Sequence, residues 1–245
     1  MPDRTTLIGA ESLAAAVGDL LDPLYVSLET LAAEVVRCRR AAGAGGFTER
    51  SLASFETVVA TRLAAHPAMA GAGYLAEPGI ITGQDRYLLW WQRAGDDELA
   101  RLRLNFDASS VDIYDYLQME FFQLARDGGA RNAFGPHVDY SGSGLYVLTA
   151  TVPVLAEGVF LGAAGADISM SLLERALVAV LRTGAADSVV VNAERRVIAA
   201  NSPDWVVGSR LPGQPAAGDG SFVEVASVPR GPGWLVAVTD RPLAH

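Results

Sequence analysis

The spacing of apolar residues changes partway along this chain, and that change constrains the fold more than any other feature. Across residues 12–40 they recur as Leu13, Val17, Leu20, Leu24, Leu28, Leu31 and Val35, intervals of three and four that lay one stripe along a long helix. Pro23 lies inside it and is expected to kink or restart the helix, since proline removes a donor and crowds the preceding turn. The Ala-Gly run at 41–46 ends this helix, and a second opens with Thr48 as N-cap and Phe47 stapled onto Leu52. Beyond Pro67, from Tyr74 onward, the period shortens: residues 86–93 and 100–106 are apolar or alternating segments bounded by Gly, Asp and Ser, as strands are. Residues 112–126 return to helical spacing and stop at Gly128-Gly129. A loop then leads to strands at 146–153 and 158–167, and 170–183 is again a helix.

A smaller set follows. Strands at 188–192 and 197–201 flank a turn, residues 203–221 form an irregular surface connection rich in Pro and Gly, and 222–228 pairs with 234–239 around Pro-Arg-Gly-Pro-Gly. The order strands, helix, strands makes the fold class α+β. Helices occupy 1–66, a first module 67–169, a connecting helix 170–185 and a second, smaller module 186–245, each module an antiparallel sheet flanked by helices.

Composition removes several classes of function. Half of the 245 residues are hydrophobic, enough for a substantial core, and the net charge of −9 disfavours nucleic acid or anionic lipid as partners. The single cysteine, Cys38, excludes an intramolecular disulfide and reads as a small buried apolar side chain. With no signal-peptide pattern and no apolar run of about 18 residues, the expectation is a cytoplasmic protein that does not contact a membrane. His66, His137 and His245 are too scattered for a zinc site, so neither metal nor cofactor is expected. Ser141-Gly-Ser-Gly144 lacks the Lys-Ser/Thr pair of a phosphate loop and reads as a hairpin turn; the acidic run at 96–98 reads as a solvated turn. No catalytic residue is assigned. The enzymatic alternative is a small hydrolase with Ser141 as nucleophile and Asp139 or His137 as base.

One ordered block carries a resemblance. Tyr114, Met119, Phe121-Phe122 and Ala125 are followed by Pro136-His137-Val138-Asp139, then Pro153-Val154, then Gly162-Ala-Ala-Gly165-Ala-Asp167-Ile-Ser169. This order resembles the double Cache family of bacterial sensor domains, whose pocket helix reads Tyr-x4-Arg-x-Trp-Tyr-x-x-Ala, before a Pro-Tyr-x-Asp loop, a strand ending Pro-Val and a Gly-x-x-Gly-x-Asp-Ile-Ser strand. The Val-Val-Asn hairpin and terminal Gly-Trp-Leu-Val-Ala-Val strand resemble the family's second module, so the likeness spans essentially the whole chain. It implies two extended PAS-like modules behind a long helix and a small-molecule sensor rather than an enzyme.

In family members that bind amino acids, the motif aspartate holds the ligand ammonium, the arginine clamps its carboxylate and the aromatics close the cavity. Asp167 is the matching aspartate, but Met119 stands at the arginine position, and a thioether offers no bidentate carboxylate recognition. Arg131 is the candidate replacement. The resemblance therefore points to a ligand with an amine or quaternary ammonium, amino-acid-like or simpler, caged by Tyr114, Phe121, Phe122, Trp90 and Trp91. Each of these aromatics also reads as plain core. His137 and Asp139 come from the loop; His137 predicts pH-sensitive affinity near neutrality if it touches the ligand, and otherwise reads as a turn residue capping Asp139. With no output domain in the sequence, a signal would pass through an unidentified partner or a homodimer seamed along residues 12–40; a metabolite-buffering module without output is the alternative.

Overall fold

A computed structural model describes residues 9–94, 98–107, 109–111, 113–128 and 130–243. Residues 96, 97 and 245, parts of the acidic run and the last histidine considered above, lie outside these. Helix α1 spans Ala10–Ala42 without interruption, so Pro23 does not restart it. Burial supplies the reason: Leu13, Val17, Leu24, Leu28, Leu31 and Val35 are all buried, and packing along the stripe outweighs the one hydrogen bond a proline forfeits. Chain contacts divide the protein into two compact units, Leu24–Met170 and the rest, the first 23 residues grouping with Ser171–His245.

In the larger unit a 3₁₀ turn, Glu49–Leu52, precedes helix α2, Phe55–Ala65. The Thr48 amide donates to Ser51 Oγ at 3.2 Å, and Phe47 and Leu52 are both buried. The sheet starts at strand β1, Met69–Ala76, earlier than Tyr74. Its Met-Ala-Gly-Ala-Gly opening has little strand propensity, but all eight residues are buried and the strand is paired on both sides over 71–75. Strands β2, Leu88–Arg93, and β3, Leu99–Arg101, follow; the third is shorter than the alternation predicts. The helix expected over 112–126 shrinks to a 3₁₀ turn at Tyr116–Gln118 and α3, Glu120–Arg126. Upstream, Asp107 Oδ1 accepts from the amide and hydroxyl of Ser109, and the Tyr114 amide donates to the Asn105 carbonyl at 2.8 Å. Local side-chain bonds of this kind compete with helix formation.

Residues 132–138, expected as loop, form edge strand β4, Asn132–Val138, with an irregularity between Phe134 and His137 that accommodates Pro136. Strands β5, Tyr146–Ala156, and β6, Val159–Ser169, complete an antiparallel sheet of order β3-β2-β1-β6-β5-β4. Tyr25 of α1 donates to the Asn132 carbonyl at 2.9 Å, and Ser27 Oγ lies 2.8 Å from His66 Nε2 at the end of α2. Tyr116, fully buried, donates its hydroxyl to the Ala76 carbonyl at 2.6 Å and accepts from the Tyr87 amide at 3.1 Å. Tyr116→Phe is expected to cost about 2 kcal/mol in denaturant unfolding, because it strands two buried backbone groups. An unchanged midpoint would show that other groups satisfy them.

The smaller unit contains helix α4, Met170–Leu181, and strands β7, Ala186–Val191, β8, Val197–Ala200, β9, Glu224–Ser227, and β10, Leu235–Pro242, in the antiparallel order β8-β7-β10-β9. The 203–221 connection is irregular, as its prolines and glycines require, but it is not merely surface. Leu211 and neighbouring Phe222 are buried against Val189, Val191 and Val197, and Trp205 stacks on Phe222 at 5.9 Å. Among the described residues, no helix is long and apolar enough to cross a membrane, and no group of His, Cys, Asp and Glu is arranged to hold a metal ion.

Candidate functional site

Strand register builds the site. Side chains two apart on a strand share a face, so the pairings align three rows on one face of the six-stranded sheet. Leu88, Leu75, Ala163 and Pro153 form the first row; Trp90, Gly73, Gly165 and Thr151 the second; Gln92, Gly71, Asp167 and Thr149 the third. The glycines make the room. A Cβ on Gly73 would sit 2.2 Å from the Leu89 carbonyl and 2.8 Å from the Trp90 ring, and one on Gly71 would meet the same indole at 2.8 Å. Trp90 thus lies over a floor without side chains, next to Asp167. The family-like motif at 162–169 acquires a physical meaning from this: Gly165 clears space beside the indole and Asp167 follows two residues later on the same face.

Helix α3 and the side chains of Leu102, Leu104, Phe106, Tyr114 and Leu117 cover this face. Phe121 and Tyr116 pack with Leu75, Leu88 and Trp90, and Thr151 Oγ1 donates to the Phe121 carbonyl at 3.0 Å, which pins the helix to the sheet. What remains is a narrow cavity between the sheet and its cover. Its apolar walls are Leu75, Leu88, Trp90, Leu102 and Phe121; its polar lining is Tyr114, His137, Asp139, Ser141, Thr149 and Asp167.

The structure therefore brings Asp167, Tyr114, Phe121, His137, Asp139 and Trp90 together, and leaves three other candidates outside the lining. Trp91 points to the opposite face, where its ring meets Phe55 of α2 at 6.2 Å; adjacent strand residues cannot share a face. Phe122 is fully buried between Tyr116 and Phe160, at 5.2 and 5.8 Å, beneath the helix rather than beside the cavity. Met119 is partly exposed at the N-terminus of α3. Arg131 pairs with Glu29 at 2.8 Å and lies over the Tyr25 ring, so it does not line the cavity in place of an arginine at position 119. Leu75, Leu88, Leu102 and Thr149 were not anticipated. Thr149 carries a signal only once register is known, since it stands directly across from Asp167.

Asp167 is half-buried, and its one hydrogen bond among the described residues comes from Thr149 Oγ1 at 2.7 Å. Burial pushes its carboxyl up to about 7, with a further push from the charge of Asp139; the Thr149 bond opposes both. The phenol of Tyr114 is likewise raised by burial and by the charges of Asp167 and Asp139. Asp139 is held by its own hairpin turn: the Gly142 and Ser143 amides donate to it at 3.0 and 2.6 Å, and Ser143 Oγ at 3.1 Å. The Ser141–Gly144 segment is thus a turn, as its composition indicates. His137 lies tilted against Phe134, ring centroids 5.0 Å apart, and its buried Nδ1 has no hydrogen-bond partner among the described residues. Burial lowers the pKa of His137 despite the nearby Asp139 charge, whereas burial raises that of Asp167. Ser141 makes no hydrogen bond to His137 or Asp139 among the described residues, and the nucleophile–base pair of a hydrolase is not assembled.

No family model and no curated protein matches the sequence. Solved structures do. A methyl-accepting chemotaxis protein X is 18% identical, with a TM-score of 0.59 over 94% of this chain and 96% of its own. The extracellular domain of the histidine kinase soHK1S-Z6 is 18% identical at a TM-score of 0.56, covering 94% and 91%. The ligand-binding domain of the Pseudomonas aeruginosa PAO1 amino acid chemoreceptor PctB, in complex with L-Arg, is 18% identical at 0.61, covering 94% and 92%. These are sensor and receptor domains, not enzymes. They also correct the expectation of a cytoplasmic protein: a domain of this fold stands outside the cell in soHK1S-Z6, so the lack of an apolar span within the domain does not indicate the cytoplasm. A long helix followed by two antiparallel sheets, matched over 94% of its length, gives this chain the two-module, PAS-like fold of the double Cache sensor domains.

Proposed function

We propose that this chain is the ligand-binding domain of a sensor and that its cavity takes a small molecule through an amine or other cationic group. The observation that carries the reading is Asp167, a half-buried carboxylate with a single hydrogen bond, in a cavity whose lining contains a second carboxylate and no Arg or Lys. Withdrawing a carboxylate from water is costly unless a cation or several donors meet it, and the protein supplies only Thr149. Trp90, Tyr114 and Phe121 supply the aromatic surface over which an ammonium group is attracted. The bound L-Arg of PctB and L-valine of the Campylobacter jejuni chemoreceptor Tlp3 support a small, amine-bearing ligand, and their being chemoreceptors supports a sensory role. Among the described residues no guanidinium lines the cavity to clamp a carboxylate, which separates this site from one built for α-amino acids.

Thermal shift with simple primary amines and with zwitterionic amino acids at pH 8 tests the reading. Amines are expected to stabilise the protein, by roughly 2.7 kcal/mol at a hundredfold excess over Kd, and zwitterions much less. Stabilisation by ordinary amino acids alone would overturn it.

A further inference from the structure

We infer that Thr149 is the positioning residue of this site: its hydroxyl pins Asp167 Oδ1 and thereby sets the pH above which the carboxylate is available to a cation. The inference rests on the amine reading above for its consequence in binding, and extends that reading to how the site is kept charged. Across the sheet, Asp167 stands between Gly71 on β1 and Thr149 on β5, and Thr149 stands in turn between Asp167 and Phe134 on β4. Glycine has no side chain and phenylalanine no hydrogen-bonding group, so within this row the hydroxyl and the carboxylate have only each other. They meet at 2.7 Å, with Thr149 buried. The other titratable groups of the cavity are Tyr114 from its cover, and His137 and Asp139 from the end of β4 and the turn beyond it. None of them bonds to Asp167 among the described residues. Burial pushes the Asp167 carboxyl up, the Thr149 bond is the influence that lowers it, and Asp139 adds a push of its own. A hydroxyl that donates to a carboxylate favours the charged form, because the bond to an ionised acceptor is stronger than the bond to a neutral acid.

NMR titration of isotope-labelled aspartate carboxyls in the ligand-free full chain tests this, with the Asp167 signal identified by its loss in Asp167→Asn. Thr149→Val keeps the branched shape without the hydroxyl, and is expected to move the Asp167 midpoint up by about one pH unit or more. Thr149→Ser keeps the hydroxyl and is expected to leave the midpoint in place. Calorimetry with 1-aminobutane reads the consequence: the Thr149→Val protein is expected to bind about fivefold more weakly than the unmodified protein at pH 7, and about equally at pH 9. Thr149→Ala, checked like the others for native circular dichroism, is expected to behave as Thr149→Val does and replaces it if valine prevents folding. An unmoved Asp167 midpoint in a folded variant without the hydroxyl would overturn the inference, as would an equal shift in Thr149→Ser. A midpoint that shifts as expected, in a protein that does not bind 1-aminobutane at either pH, would support the role of Thr149 and overturn the amine reading alone.

Discussion

Asp167→Asn is expected to make the ligand-free protein more stable at pH 8 and, at the same time, to abolish its binding of amines. Below about pH 4 the carboxyl is protonated in both folded and unfolded chains, and the residue contributes no pH dependence. Between pH 4 and about 7 the unfolded chain releases the proton while the folded protein retains it, so stability falls as pH rises. Above 7 both states are ionised and the loss is complete. A shift of roughly three units corresponds to about 4 kcal/mol as an upper bound. Asparagine carries no charge and keeps an oxygen for Thr149, so the variant is expected to melt several degrees higher at pH 8 and to lose the slope between pH 4 and 7. The same change removes the counter-charge for a ligand ammonium and is expected to weaken amine binding by about thirtyfold or more. In the unmodified protein, amine affinity is expected to rise with pH up to about 7 and then level off, with proton release on binding below that point. Calorimetry in two buffers of different ionisation enthalpy measures that release. A variant that is less stable at pH 8, or one with unchanged affinity, would show that Asp167 is a structural residue.

The second large effect is expected at Gly162, the first glycine of the family-like strand. Its φ is +135°, and a Cβ there would lie 2.0 Å from the Leu75 carbonyl and 2.9 Å from Ala76 Cα. Both obstacles are backbone atoms of the adjacent strand, to which Gly162 is paired opposite Ala76, and backbone does not give way as a side chain does. Gly162→Ala is expected to cost about 3 kcal/mol or more, combining a disfavoured backbone conformation with a steric clash. Gly158 provides the control: its φ is +80° with nothing within 4 Å of a new Cβ, and Gly158→Ala is expected to cost about 1 kcal/mol. Equal losses in denaturant unfolding would mean that the close approach of β1 to β6 at this point carries no weight. Because Leu75 also lines the cavity, the Gly162 variant is expected to lose amine binding along with stability.

Much of the fold was legible where burial imposes a period. The α1 stripe, the β5–β6 hairpin, α4 and the β7–β8 hairpin are all recognisable because one face of each meets the core. Reading failed where local chemistry and packing disagree. Met69–Ala76 is small and glycine-rich, and only its place between two partners makes it a strand. Residues 113–115 continue a helical spacing, but local hydrogen bonds upstream hold that segment out of a helix. Pro23 looks like a break and is overridden by the packing of Leu24, Leu28 and Leu31.

The site divides in the same way. The sequence by itself determined that Asp167 follows a Gly-Ala-Ala-Gly-Ala run, that a Pro-His-Val-Asp segment precedes it, and that no arginine stands at position 119. Those facts depend on residue identity alone. Only tertiary structure decided that Trp90 faces the cavity while Trp91 faces α2, that Phe122 is core while Phe121 is wall, and that Thr149 stands across from Asp167. Strand register and helix rotation set those outcomes. A shift of one residue flips every strand side chain to the other face and turns every helix side chain by about 100°, and nothing local to the residue records it.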